Sequence, residues 1–311
     1  MKIWNNVAGE RDFYAAWILL LEDLLKGDVV HPRGKCCREN FGVQFYVENS
    51  LANIIIDPQR KLNYRFMVAQ WLTTFLGLED LPILENYNKA IASYETDGQG
   101  GTYPSYGPRL HAQWPFVFKS LRDDLDSRQA VMSIWERQVP NNTEPNQQEY
   151  ITKYYVPCTL NLQFLVRGNR LHTIISMRSS DAWLGLPYDF FNFTMLANYL
   201  ASNLSYEKRR LIAPGSITIN MGSSHLYETN WATAASIVNA PSGASGLSPR
   251  IPGSAYYPQA LQDVLEAKHS AQDLPPMSWP WIGYANILIA NTNAEALELL
   301  KHVGRTHAEI S

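Results

Sequence analysis

Cysteine is scarce in this 311-residue chain: Cys36 and Cys37 are adjacent and Cys158 stands alone. An odd set without CxxC spacing excludes a disulfide framework and a thiolate metal site, and it points to a reducing compartment. Seven histidines are scattered with no HxH or HxxxH spacing, so no metal is expected. Charge is also sparse, 18% of residues against roughly 25% in an average globular chain. The balance of 26 Lys+Arg and 29 Asp+Glu gives −3. That excludes a binder of polymeric nucleic acid, which gathers a basic surplus on one face, and offers nothing to an anionic membrane. The longest apolar run, Ala15 to Leu21, is too short to span a bilayer. Met1 to Asp12 carries charge and lacks the apolar stretch of a signal peptide, so a cytoplasmic protein is expected. What is present is 46% hydrophobic and 12% aromatic sequence, enough for a sizeable core. The thin charge also leaves neutral and aromatic surface for a subunit contact.

Patterning gives mixed strands and helices with no repeat and no linker that would divide the chain. Helical periodicity runs over Arg11–Lys26 to the stop at Gly27, then Tyr64–Leu76, Pro82–Tyr94, Arg109–Leu125, Pro187–Leu204 and Leu226–Asn239. A further helix is expected up to about His269, and Ala294–His302 closes the chain. Strands are expected at Phe41–Val47, Gln129–Val139, Cys158–Val166, Leu171–Arg178, Ser216–Met221 and Ile282–Ile289. Arg167-Gly168-Asn169-Arg170 reads as a hairpin turn. Pro140–Glu149 reads as a solvated insert, and the glycine-rich Asp97–Pro108 loop lacks the Lys-Ser/Thr of a phosphate loop.

Three clusters carry chemistry. Cys158 opens a strand after Pro157; it reads either as a small buried hydrophobe or as a thiolate activated by a nearby cation. Arg178, twenty positions on at the end of the next strand, is such a cation. The run Arg178-Ser179-Ser180-Asp181-Ala182-Trp183-Leu184-Gly185-Leu186-Pro187-Tyr188-Asp189 is either a plain strand-to-helix connection or a pocket wall with an arginine and hydroxyls placed for phosphate. His225 and Tyr227, two apart, share a face in an extended segment, as a core pair or as ligand contacts.

Pro157-Cys158 with Gln163-Phe164, then RSSDAWLGLPYD, then His225-x-Tyr227 resembles the thymidylate synthase superfamily in order and spacing. Pro32-Arg33-Gly34, Tyr106-Gly107 and Asp126-Ser127-Arg128 extend the resemblance over roughly residues 10 to 235, while 236–311 diverge and show no clear version of the synthase tail. It implies an α+β (mixed α/β) single catalytic domain over 1–311, a large twisted mixed sheet flanked by helices, and a homodimer through the sheet face. It implies that Cys158 adds to C6 of a pyrimidine nucleotide so that C5 attacks the one-carbon unit of 5,10-methylenetetrahydrofolate, with no metal. Gln70 and Tyr106 complete the implied catalytic set. Arg33, Arg178 and Ser179 would bind the 5′-phosphate with Arg128 of the other subunit. Gln163 would contact substrate, His225 and Tyr227 the sugar 3′-hydroxyl, and Asp181 and Trp183 the folate.

The departures sharpen the expectation. Synthases acting on dUMP carry Asn where this chain has Asp189, and His where it has Thr159. A carboxyl accepts from the cytosine amino group and, when protonated, donates to N3, whereas a mismatch strands buried polar groups. Asp189 resembles the phage deoxycytidylate hydroxymethylase branch, whose setting is the host cytoplasm and DNA modification, and both changes point to dCMP rather than dUMP. Two further differences run the other way. Gln70 stands where the family places a proton-exchanging Glu, with Glu79 or Glu85 as substitutes, and Gln129 replaces a second phosphate arginine. The leading expectation is folate-dependent 5-hydroxymethylation of dCMP, with water capturing the exocyclic methylene. The alternatives are a dCMP methylase, a CMP hydroxymethylase of nucleoside-antibiotic synthesis, a dUMP thymidylate synthase, and a nucleotide-binding homologue that has lost catalysis.

Overall fold

The computed structural model describes residues 7–78, 81–94, 105–135, 157–248, 251, 259–266, 277 and 280–305. The insert at 140–149, most of the glycine-rich loop, Glu79 and the end of the strand expected to reach residue 139 lie outside them. After β1 (Val7–Glu10), helix α1 (Phe13–Leu24) starts where the Asp12 carboxylate accepts from the Ala15 N–H at 3.0 Å. Phe13, Trp17, Leu20, Leu21 and Leu24 recur at helical spacing and are all buried. Next come β2 (Asp28–Val30), a 3-10 turn at Pro32–Gly34, β3 (Cys37–Val47) and β4 (Ile54–Ile56). Helix α2 (Tyr64–Leu76) is capped by Asn63, which accepts from the Phe66 N–H at 3.0 Å, and stops at Gly77 in the left-handed region, φ 72°.

One turn of helix, α3 (Leu81–Leu84), and a 3-10 stretch, Lys89–Tyr94, occupy the range read as a single helix. Asn88 breaks it, its side-chain oxygen accepting from the Ala90 N–H at 3.2 Å in place of helix continuation. Then follow α4 (Tyr106–Asp123), β5 (Val131–Ser133), β6 (Thr159–Arg167) and β7 (Arg170–Asp181). Gly168 and Asn169 both have positive φ, 56° and 58°, in the turn between β6 and β7, the backbone a tight hairpin demands. Helix α5 (Leu186–Lys208), with Pro187 in its first turn, leads to β8 (Ala213–Tyr227). The chain closes with α6 (Trp231–Asn239), β9 (Ala244–Gly246), α7 (Gln259–Leu265), α8 (Trp281–Ile289) and α9 (Asn293–Arg305).

The main sheet runs β1-β3-β8-β7-β6-β5, with β2 also paired to β3. It is mixed: β1/β3 and β7/β8 are parallel, while β3/β8, β6/β7 and β5/β6 are antiparallel. Helix α5 makes the crossover that a parallel β7/β8 pair needs. It also centres the core: Phe190 stacks on Phe13 at 3.9 Å and meets Phe45 edge-on at 6.1 Å. This is the mixed α/β architecture, a large sheet flanked by helices, that the resemblance implied.

Residues Ile282–Ile289 correct the sequence reading. They form helix α8, not a strand, because Trp281, Tyr284, Ala285 and Leu288 recur at helical spacing and bury one face against α2. The Tyr284 and Trp281 rings lie 4.6 and 6.4 Å from that of Trp71. A short apolar run has no period that separates the two states. Similarly, Leu226 and Tyr227 extend β8 instead of opening the next helix.

Candidate active site

The start of β6, the ends of β7 and β8 and the start of β3 share one end of the sheet. That end lies beyond the carboxyl termini of the parallel pair, where open α/β sheets form ligand crevices. Cys158 is half-buried there, immediately before β6. Its carbonyl accepts from the Arg178 N–H at 2.8 Å, Arg178 Nε donates to the Pro157 carbonyl at 3.0 Å, and Arg178 Nη2 stands 3.7 Å from Cys158 Sγ. The hairpin therefore delivers the cation that the spacing suggested. Thr159 faces Met177 and Asn161 faces Ser176, which leaves Leu160 as an extra residue. Such a bulge re-aims neighbouring side chains and is common beside active sites. The Thr159 N–H donates to the Tyr106 hydroxyl at 3.2 Å, so α4 meets β6 next to the thiol.

The turn after β7 has its backbone groups accounted for one by one. The Ala182 N–H donates to the His225 carbonyl at 2.9 Å, and the Ala182 carbonyl accepts from Trp17 Nε1 at 2.7 Å. Asp181 Oδ1 accepts from the N–H groups of Trp183 and Leu184 at 2.8 and 2.9 Å. The Gly185 N–H returns to the Asp181 carbonyl at 3.1 Å, and the Asp189 N–H donates to the Gly185 carbonyl at 3.0 Å. Asp189 thus hangs from this turn in the first turn of α5. Trp183 points into the protein, 5.7 Å from the Trp17 ring and beneath the Arg60 guanidinium at 4.9 Å.

Electrostatics joins these groups. Asp189 is half-buried in the first turn of α5. Burial, reinforced by the charge of Asp181, pushes it up to about 7. Burial also raises Asp181, against the two N–H donors, His225 and Arg60. Burial lowers the His225 imidazole; Asp181 and Glu39 oppose that, and Arg33 and Arg178 add to it. Tyr106 is raised by burial, then by the charges of Asp189 and Cys158. Contacts and charges thus link Cys158, Arg178, Tyr106, Asp181, Asp189 and His225 pairwise at this end of the sheet, with the Arg33 charge acting on His225. Ser179 Oγ lies 3.5 Å from His225 Nδ1, and the Tyr227 ring stands edge-on to His225 at 5.2 Å. Arg33 itself is exposed and held at φ 52° in its 3-10 turn.

Other expected residues lie elsewhere. Gln163 is five residues along β6 from Cys158, about 17 Å of extended strand. It donates its amide to the Arg128 carbonyl at 3.0 Å, so within one chain Arg128 also stands along β6 rather than at the thiol. Gln70 is on α2, where its carbonyl accepts the Thr73 and Thr74 hydroxyls at 2.9 Å each. Thr74 also accepts from Asn192 Nδ2 at 3.0 Å, which sets this face of α2 against α5 one turn beyond Asp189. Gln70 Oε1 is buried with no partner among the described residues. Glu85 sits in the turn after α3. The sequence reading missed Glu39, which accepts the Ser223 hydroxyl and lies opposite His225 in register, and Arg60. Only the pairing of β3 with β8 and the approach of residue 60 to residue 183 reveal them. Among the described residues no cluster suited to a metal ion occurs and no helix is long and apolar enough to cross a membrane.

The family profile described as thymidylate synthase matches residues 60–246, and the chain belongs to that family. A deoxyuridylate hydroxymethyltransferase of Bacillus phage SP01 is 27% identical over 205 residues, 60% of this chain and 51% of the phage protein. The chain thus spans about half the length of the curated relative it matches. Arg33 lies outside the matched residues, whereas Gln70 and every later site residue lie within them.

Proposed function

We propose that the chain transfers a one-carbon unit to C5 of a pyrimidine nucleoside monophosphate, with dCMP as acceptor, 5,10-methylenetetrahydrofolate as donor and a hydroxymethyl group as product. The observation that carries the reading is the pairing, at one end of the sheet, of a cysteine 3.7 Å from an arginine with a carboxyl that holds its proton up to about pH 7. Arg178 favours the charged sulfur that attacks C6; the carbon–sulfur bond forms and C5 becomes the carbon nucleophile. Protonated Asp189 donates to cytosine N3 and accepts from the amino group, which uracil does not offer. Arg33, Arg178 and Ser179 supply donors for the phosphate. His225 and Tyr227 take the 3′-hydroxyl, and Tyr106 lies within electrostatic reach of both Cys158 and Asp189. The folate supplies carbon at the formaldehyde level when bound. Asp181, partly accessible beside the 49%-exposed Leu184, fits a flat heterocycle carrying N–H donors. Trp183 supports that wall from behind. C5 bonds to the one-carbon unit and gives up its proton, and the bond from that carbon to the folate nitrogen breaks so that tetrahydrofolate leaves; water then adds its oxygen to the exocyclic carbon and releases a proton, while the C6–sulfur bond breaks and returns the thiolate.

A second copy of the chain would supply Arg128, whose exposed side chain and distance from Cys158 within one chain favour a shared site. We read the chain as one catalytic domain of the cytoplasm. Hydroxymethylation of dUMP is the second reading, favoured by the name of the phage relative; Asp189 favours dCMP. Mass analysis of the product from dCMP, CMP and dUMP separates them. A gain of CH2O on dCMP supports the proposal, a gain of CH2 makes a methylase, and product from dUMP alone refutes the base assignment. Cys158→Ala should abolish tritium release from [5-3H]dCMP, and persistence would overturn the mechanism.

A further inference from the structure

Arg60 has no part in the chemistry above, yet it is 8% exposed and reaches 123 positions along the chain to its partner. Its Nη2 donates to the Trp183 carbonyl at 2.5 Å while the guanidinium lies over the Trp183 ring. Asp181 holds the N–H of the same residue. Trp183 is therefore gripped from both sides of its backbone, by a cation on the segment leading into α2 and by a carboxylate at the end of β7. Burying a guanidinium is costly unless its neighbours compensate, and an apolar side chain would fill the space at less cost. The turn so held is the one from which Asp189 hangs, through Gly185.

We propose that Arg60 is a positioning residue of this site: through the Trp183 carbonyl and the Asp181 carboxylate it holds the Asp181–Gly185 turn, and with it the face that Asp189 presents to the base. The inference rests on the reading of the cleft as a pyrimidine-nucleotide site. Tyr188, Asp181 and Tyr64 are the titratable groups that act on Arg60. Asp181 in turn faces His225, Cys37 and Asp189, and Asp189 faces Asp181 and Tyr106. Arg60 favours the anion on Asp181, and that anion leaves the proton on Asp189. Without the cation Asp181 protonates more readily and ceases to repel charge on Asp189.

Carbon NMR titration of protein labelled at the aspartate carboxyls reads both groups without any nucleotide. In Arg60→Gln, which keeps a donor for the Trp183 carbonyl but not the charge, the Asp181 midpoint should rise and that of Asp189 fall by about one pH unit. Arg60→Lys should leave their order unchanged. Calorimetry at pH 7 should show the dCMP-over-dUMP affinity ratio falling about fivefold in Arg60→Gln, since a one-unit drop in a midpoint near 7 takes the protonated fraction from about a half to about a tenth. Unmoved midpoints in folded Arg60→Gln overturn the inference. Should that variant fail to fold, Asp181→Asn tests the same link: the Asp189 midpoint must fall, and an unmoved one overturns it. Midpoints that move in a protein binding no pyrimidine nucleotide would refute the nucleotide reading and leave the hold of Arg60 on the turn standing.

Discussion

Replacing Asp189 by Asn should make the protein more stable at neutral pH and above, by a margin that shrinks toward pH 4. In the folded chain this carboxyl holds its proton up to about pH 7, against 3.8 for the free group. Between those limits the folded state carries a proton that the unfolded state has released, so stability falls as pH rises through the window. Each pH unit costs about 1.36 kcal/mol, and from pH 5 to pH 7 the native protein forfeits at most roughly 3 kcal/mol at this one position. Asp189 keeps some contact with solvent, which trims that to about 2 kcal/mol. Asn has nearly the same shape and no charge, so the variant escapes the loss. Urea denaturation at pH 5, 6, 7 and 8, at one fixed protein concentration, gives the stability of both proteins. The difference between them should widen by about 2 kcal/mol across the series. Parallel profiles would refute the assignment of a neutral carboxyl to this position. The same substitution should shift nucleotide preference from dCMP toward dUMP, which would make Asp189 a case of stability given up for recognition.

Two further outcomes test the scaffold around the thiol. Arg178→Ala removes the guanidinium 3.7 Å from Cys158 Sγ; alkylation of Cys158 by iodoacetamide at pH 7, followed by peptide mass, should slow about tenfold, and an unchanged rate would deny Arg178 its activating role. Gly107→Ala would place a methyl 2.8 Å from the Thr73 carbonyl and 2.7 Å from the Leu78 carbonyl, both backbone. The crowding should cost about 1–3 kcal/mol, lowering Tm by at least about 2 °C and displacing the adjacent Tyr106. An unaltered melting curve would show that α2 and α4 have room to spare.

Much of the scaffold was legible in the chain because its signals are local. The Gly168-Asn169 turn between β6 and β7 is read from the sequence in this way, and the caps that the structure adds at Asp12, Asn63 and Gly77 also act within a few residues. The candidate nucleophile and its arginine were legible for a related reason: a hairpin folds its arms into register, so a spacing of twenty becomes a contact. Helix α8 was not legible, because a largely apolar run of eight residues suits strand and helix equally and only the Trp71 and Phe75 rings beneath Trp281 decide between them. Residue types and order thus determined on their own most of the elements, the family resemblance and the presence of a cysteine, arginines and an unusual aspartate. The tertiary structure decided which of these meet. It brought Tyr106 to Cys158 and Asp189, and His225 to Asp181, left Gln163 and Arg128 along β6, and set Arg60 against a turn 123 positions away. Burial and charge proximity, which keep the proton on Asp189, arise only when distant segments exclude water together, and no spacing along a chain encodes that.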